Sequence, residues 1–182
     1  MLTSFTRLDP VGRDHDELVE FMTGNEFPFH GNRRPTREST EAAIGEGAYR
    51  DVDNDSFWID HIDLGRIGFF RLEDLSEDTP VFDLRLQSSF RNRGLGVEVL
   101  HAAARYVFTA LPNVSRFEGQ TREDNIAMRR IFLHCGWVKE AHYREAWSVE
   151  GGPPVASVAY AILRRDWETG RTTTLLWEDL AI

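Results

Sequence analysis

The stretch Ser88–Val99 reads "SSFRNRGLGVEV" and places two arginines and two glycines between Arg91 and Gly96. Upstream, Pro80–Leu86 alternates, with Phe82, Leu84 and Leu86 on one side and Asp83 and Arg85 on the other. That is the period of a strand. Downstream, Val97–Leu111 carries Leu100, Ala104, Val107 and Leu111 on one stripe, and Pro112 ends it. That is the period of a helix. The join is a sharp strand-to-helix turn, Arg91, Asn92, Arg93, Gly94, Leu95, Gly96. Glycines reach backbone angles that other residues resist and put no side chain between backbone and ligand. The first amides of the helix have no internal partner, and with the helix dipole they favour a phosphate. Arg91 and Arg93 add positive charge there, in a chain of formal net charge −9. The stretch reads as an ordinary turn or as an anion site. It is not a P-loop, because no Gly-Lys-Ser/Thr follows. Val99 stands where a dinucleotide fingerprint needs its third glycine. What remains is Arg-x-x-Gly-x-Gly.

Outward from the turn, the chain alternates between strand and helix patterns. Leu2–Leu8 reads as a strand and Asp14–Thr23 as a helix. Thr36 is placed to cap a second helix running to Tyr49. Ser56–His61 and Arg66–Leu72 read as a hairpin turning at Asp63–Gly65. After the helix at Val97–Leu111 come a strand over Val114–Thr121 and a short helix from Asp124 or Asn125 to Cys135, closed by Gly136. Trp137–Val149 and Val155–Leu163 read as two long strands around "EGGPP". The pattern gives no assignment for Thr169–Ile182. This order is a mixed α/β arrangement around one sheet. The 182 residues, 41% of them apolar, fit one domain with one core.

Composition narrows the partners. No apolar run is long enough to span a membrane, and Arg7 and Asp9 interrupt the N-terminus before a signal-peptide core could form. One cysteine makes no internal disulfide. These features lead to the expectation of a cytoplasmic protein. An acidic chain is a poor non-specific binder of nucleic acid and suits a cationic partner such as an amine, although an acidic surface also serves solubility.

A second motif lies downstream of the turn. "DNIAMRRIFLHCGW" supplies Asn125, a helix, and Gly136 followed by Trp137. Taken with Arg-x-x-Gly-x-Gly, it makes the chain from about Leu2 to Trp167 resemble the GCN5-related N-acetyltransferase (GNAT) family. The stretch "KEAHYREAWSVEGG…VAYAILRRDW" looks most like the branch of ribosomal-protein N-terminal acetyltransferases (RimJ/RimL-like). The resemblance implies a mostly antiparallel sheet of about seven strands with a splayed strand pair, flanked by about four helices. It implies acetyl-CoA as co-substrate and no metal. By resemblance, Asp83–Leu86 is the splayed strand, and the backbone of Leu84 and Leu86 meets the pantetheine and the thioester oxygen. A backbone amide aimed at a developing oxyanion is a sound device. The turn Arg91–Gly96 would hold the pyrophosphate, and Asn125 either bonds the pantetheine or caps its helix.

The implied reaction is direct attack of a primary amine on the thioester in a ternary complex. The acceptor would be a protein N-terminus or a small amine such as an aminoglycoside or polyamine. The competing reading is a CoA-binding module with little chemistry. The family's usual acids are missing: the seventh position after Asn125 is Phe132, and the third, a serine in many of the ribosomal branch, is Met128. A thiol of pKa about 8.5 leaves tolerably without strong acid help. Tyr143 is a substitute acid or a sheet residue. For the base, Glu118 on "SRFEGQ" comes first, Asp83 second and Glu145 third. A weakly basic amine eases that task, since neutralising an α-amine at pH 7 costs about 1 kcal/mol and a lysine about 4.6 kcal/mol.

Other residues carry less. Cys135 shares a helical stripe with Met128, Ile131 and Phe132 and reads as core. The histidines show no metal-ligand spacing, and no Gly-x-Ser-x-Gly elbow is present. In "NEFPFHGNRRP" (Asn25–Pro35), Phe27, Phe29 and His30 either line an acceptor pocket or anchor the loop, and Arg33 and Arg34 would meet an acidic acceptor. Arg129 and Arg130 face a 3′-phosphate or solvent. Leu175, Leu176 and Trp177 suggest a homodimer contact in the tail.

Overall fold

In the computed structural model, which describes residues 2–177, the strands form two antiparallel sheets set side by side. The first has the order β1 (Thr3–Arg7), β2 (Asp55–His61), β3 (Gly65–Glu73), β4 (Val81–Leu86). The second has β7 (Val155–Leu163) between β5 (Arg116–Arg122) and β6 (Val138–Trp147). The seven strands are those expected, split four and three.

Alternation sends side chains to two faces. On one face Phe57, Ile59, Phe70, Leu72, Phe82, Leu84 and Leu86 join a core with Phe117, Val158 and Tyr160 of the second sheet. Helices α3 (Leu95–Ala110) and α4 (Ile126–His134) close it, through Val99, Leu100, Ala103, Val107 and Phe132. On the opposite face Trp58 and Phe69 pack with Leu18, Phe21 and Met22 of α1 (His15–Thr23) and Ile44 of α2 (Arg37–Gly45). Two apolar layers on one sheet hold the strands from both sides.

The helix ends follow their local chemistry. Thr36 caps α2 as expected, accepting from the Ser39 amide at 3.1 Å while Ser39 Oγ accepts from the Thr36 amide at 3.0 Å. The helix stops at Gly45 rather than Tyr49, because Gly47 takes the left-handed angle φ 78° and turns the chain away. A fifth helix, α5 (Arg164–Thr169), ends at Gly170 with φ 68°. Periodicity could not find so short a helix. What fixes it in place is tertiary: Arg164 donates to the carbonyls of Phe108, Leu111 and Val114 at 2.7–2.8 Å, closing the C-terminus of α3. In the tail, Leu175, Leu176 and Trp177 are exposed; the rest of that predicted contact, from Glu178 on, lies outside the described residues. No described helix is long and apolar enough to cross a membrane.

Candidate active site

Strand β4 has one bonded edge and one free edge. The Gln87 amide donates to the Ile67 carbonyl at 2.9 Å, continuing the β3–β4 ladder. Antiparallel alternation then turns the backbone groups of Phe82, Leu84 and Leu86 away from β3. Pro80, in the same phase, gives its carbonyl to the Glu118 amide at 3.2 Å. Past that bond β4 and β5 share no ladder among the described residues. A cleft of about 530 Å³ fills the gap. Asn125, Met128 and Phe132 line it from the α4 side, and Phe29, His30, Asp83 and Arg85 from the other. The cleft therefore passes through the sheet. Gly119 of β5 makes room for its wall: a Cβ there would stand 2.6 Å from Phe82 and 2.7 Å from Phe132.

The turn after β4 begins as a single 3-10 turn at Ser88–Phe90. Asn92 and Gly94 then take left-handed angles, φ 58° and 82°. A Cβ at Gly94 would meet nothing within 4 Å, so the turn leaves open space before the first amides of α3. Successive amides and a helix N-terminus facing open space suit a phosphate. Gly96 serves packing instead: a Cβ there would come within 2.5 Å of Ile131 Cδ1, so it lets α3 approach α4. The missing side chain of Gly96 is thus used against α4, whereas that of Gly94 leaves open space. Leu95 opens α3 and packs against the main core.

The two arginines point different ways. Arg93 is exposed, its guanidinium 5.4 Å from the Phe90 ring. Arg91 turns inward. Its Nε donates to the Leu86 carbonyl at 2.9 Å and its Nη1 to the Glu26 carbonyl at 2.6 Å. Its Nη2 is buried without a partner, and burial lowers its pKa from the usual arginine value. Asn125 caps α4: Oδ1 accepts from the Met128 amide at 3.3 Å, and Nδ2 donates to Thr121 Oγ1 at 2.9 Å. It also lines the cleft, so one amide hydrogen remains to be used there.

Two of the three acceptor residues expected in the loop after α1 line the cleft, Phe29 and His30. Phe27 does not. It is 1% exposed, packed in the second core with guanidinium groups of Arg85 and Arg91 4.7 and 5.4 Å from its ring. A smaller hollow of about 410 Å³, sharing His30 and Gly31, is lined by Arg33, Arg34, Arg122 and Glu150. Glu26 holds both Arg33 and Arg34, at 3.0 and 3.3 Å.

The carboxylates are engaged. Asp83 lines the cleft, bonded to Arg85 Nη2 at 2.7 Å and His30 Nε2 at 3.1 Å. Burial works to raise its pKa, but Arg85 and His30 outweigh it and hold the carboxyl well below the usual range. Glu118 pairs with Arg116 at 2.6 Å, accepts from Gln120 at 2.9 Å, and does not border the cleft. Glu145, at a left-handed irregularity in β6, and exposed Tyr143 do not border it either. Cys135 is no nucleophile: burial pushes its thiol up to about 11. Arg129 is spent on Tyr160 and the Glu123 carbonyl.

Sequence reasoning missed Trp147, Arg71, Arg122 and Thr121. Trp147, the last residue of β6, and Arg71, inside β3, line the cleft at positions that no local pattern distinguishes. Arg122 is 8% exposed, pairs with Asp124 at 2.6 Å and donates to the Pro28 carbonyl at 3.2 Å. Its signal was a cation closing an otherwise half-buried strand.

Comparisons with known proteins agree with this fold. Residues 6–138 match the model of the Acetyltransferase (GNAT) domain. The chain is similar in structure to spermidine N-acetyltransferase from Vibrio cholerae in complex with CoA and spermine. Their TM-score is 0.77 at 15% identity, over 92% of this chain and 98% of that one. A chimera of the Vibrio cholerae enzyme SpeG and hSSAT gives a TM-score of 0.75 at 14% identity, over 92% and 99% of the two chains. No curated protein sequence matches the chain significantly.

Proposed function

The chain belongs to the GNAT acetyltransferases, and from that premise we propose that it moves the acetyl group of acetyl-CoA directly to the primary amine of a small, weakly basic molecule. The observation that carries this reading is the free edge of β4, which turns the Leu84 amide into the cleft between the sheets and the Leu86 amide to the same side just beyond its lining. Those amides would hold the pantetheine arm and a thioester oxygen. An amide fixed by a strand keeps its direction as charge develops, which favours the transition state over the ground state. The backbone of Asn92–Gly96, with exposed Arg93, would hold the pyrophosphate, and Asn125 would add a pantetheine bond. Acetyl-CoA supplies the activated acyl group. The protein's part is to align an amine from the Phe29–His30 side with it.

The weak basicity of the acceptor follows from the engaged carboxylates. Asp83, clamped by Arg85 and His30, is a poor proton acceptor, and Glu118 stands outside the cleft. An amine already partly neutral at pH 7 needs only about 1 kcal/mol of help. The likeness of Lys139–Trp167 to the ribosomal branch supports a peptide N-terminus as a second reading, since that too is an α-amine. The polyamines named for the structural neighbours are the contrasting class.

The test follows free thiol from acetyl-CoA with an amino-acid amide, a short peptide and spermidine. Release with the amide or the peptide is expected. CoA binding with no release for any amine would favour a binding module instead, and release only with spermidine would overturn the weakly basic acceptor.

A further inference from the structure

The loop between α1 and α2 carries Phe29 and His30 into the cleft, and few of its own backbone bonds hold it there. Inside it, the Phe27 amide donates to Arg33 and the His30 amide to Phe27. Asp83 and Arg122 hold its far half at His30 and Pro28, and the turn after β4 holds its near half, Asn25–Phe27. The Ser88 amide donates to Asn25 Oδ1 at 2.8 Å. Arg91 Nη1 donates to the Glu26 carbonyl at 2.6 Å, while its guanidinium stands 5.4 Å from the Phe27 ring. The same guanidinium bonds the Leu86 carbonyl, at the edge of β4. One rigid fork thus spans the donor edge and the acceptor loop, a geometry that a lysine's single ammonium does not reproduce.

The position of Arg91 in the turn would assign it to the pyrophosphate, but its orientation says otherwise. All its placed donors point to carbonyls, and its remaining Nη2 is buried. Arg93 is the arginine that faces outward. Resting on the donor and acceptor sides assigned above, we propose that Arg91 is a positioning residue of the amine site: by fastening Glu26 and Phe27 to β4 it sets where Phe29 and His30 stand in the cleft. Arg91 and Arg93, two residues apart, then divide the work, one for the acceptor and one for the donor.

Hydrogen exchange of peptides covering residues 25–34, together with calorimetry of CoA binding, tests this. Arg91→Met is expected to speed exchange in the loop of the free protein about tenfold, the worth of one charge-assisted bond. Exchange in β2 and β3 should stay unchanged. The CoA dissociation constant should stay within about threefold, whereas Arg93→Met should weaken it about tenfold and leave the loop alone. With an amine accepted in the thiol assay, Arg91→Met should raise the KM for that amine and not for acetyl-CoA. Arg91→Lys should recover only part of the loss. Unchanged loop exchange in Arg91→Met, or a tenfold loss of CoA affinity with the loop unaffected, would overturn the proposal. If Arg91→Met does not fold, Arg91→Lys keeps the charge but not the fork and should still speed exchange in the same peptides; no change there overturns it equally. If the wild-type protein binds no CoA, the donor assignment fails, while the free-protein exchange still decides whether Arg91 fastens the loop.

Discussion

Asp83 keeps its charge where little water reaches it, and Arg85 and His30 make that tolerable. Removing one member of a buried pair leaves the other unmatched, so Asp83→Asn is expected to cost about 3 kcal/mol at pH 7. The dependence on pH has a definite sign. A carboxyl whose folded pKa is depressed stabilises fully above its unfolded value of about 3.9, and that stabilisation is lost as pH falls through the folded value. Denaturant melts should therefore show the gap between wild type and Asp83→Asn shrinking below about pH 4; an equal gap at neutral and strongly acidic pH would contradict the clamp. Gly94 makes the second prediction at this scale. Its open side and left-handed angle leave room where a phosphate is proposed. Gly94→Glu places a like charge there, in a backbone region that costs a side chain about 1 kcal/mol. It should abolish CoA binding by calorimetry while far-ultraviolet circular dichroism stays native.

Among elements, β5 is the one whose sequence says least about its task. Gly119 looks like a weak point in a strand. The structure shows the opposite: the Phe82 and Phe132 rings occupy the space a side chain would need. Gly119→Ala should destabilise by about 2 kcal/mol through overpacking between two rings, read as a lower urea midpoint. A neutral or stabilising effect would mean that the rings yield. Other elements were open to reading because their signals are local. The stripe of α3, the Thr36 cap and the alternation of β4 each sit within a few residues. The end of α2 and the whole of α5 were not, since a left-handed Gly47 and a guanidinium reaching three distant carbonyls set them.

At the scale of the molecule, the two sheets meet, among the described residues, at the Pro80–Glu118 backbone bond and a cluster of rings. Phe82 contributes most to that seam, touching Phe70 in its own sheet and Phe117, Phe132 and Trp137 across the gap. Phe82→Ala should cost about 3 kcal/mol. It should also weaken CoA binding by calorimetry, because the free edge of β4 loses its fixed distance from β5. Full CoA affinity in a destabilised Phe82→Ala protein would separate the seam from the site. The turn after β4 could be located from sequence because strand, turn and helix are consecutive. The loop after α1 stands out in the sequence too, but the separate tasks of its residues do not, because Phe27, Phe29 and His30 look equivalent until Arg91 and Arg122, far along the chain, sort anchor from lining.

The gap between β4 and β5 has one more consequence. Its lining reaches from Asn125, Met128 and Phe132 on the α4 side to Phe29 and His30 on the side of α1 and α2, so two molecules could meet in it from opposite sides of the sheet. On the proposed function, spent thiol and acetylated amine would then part toward opposite sides of the sheet.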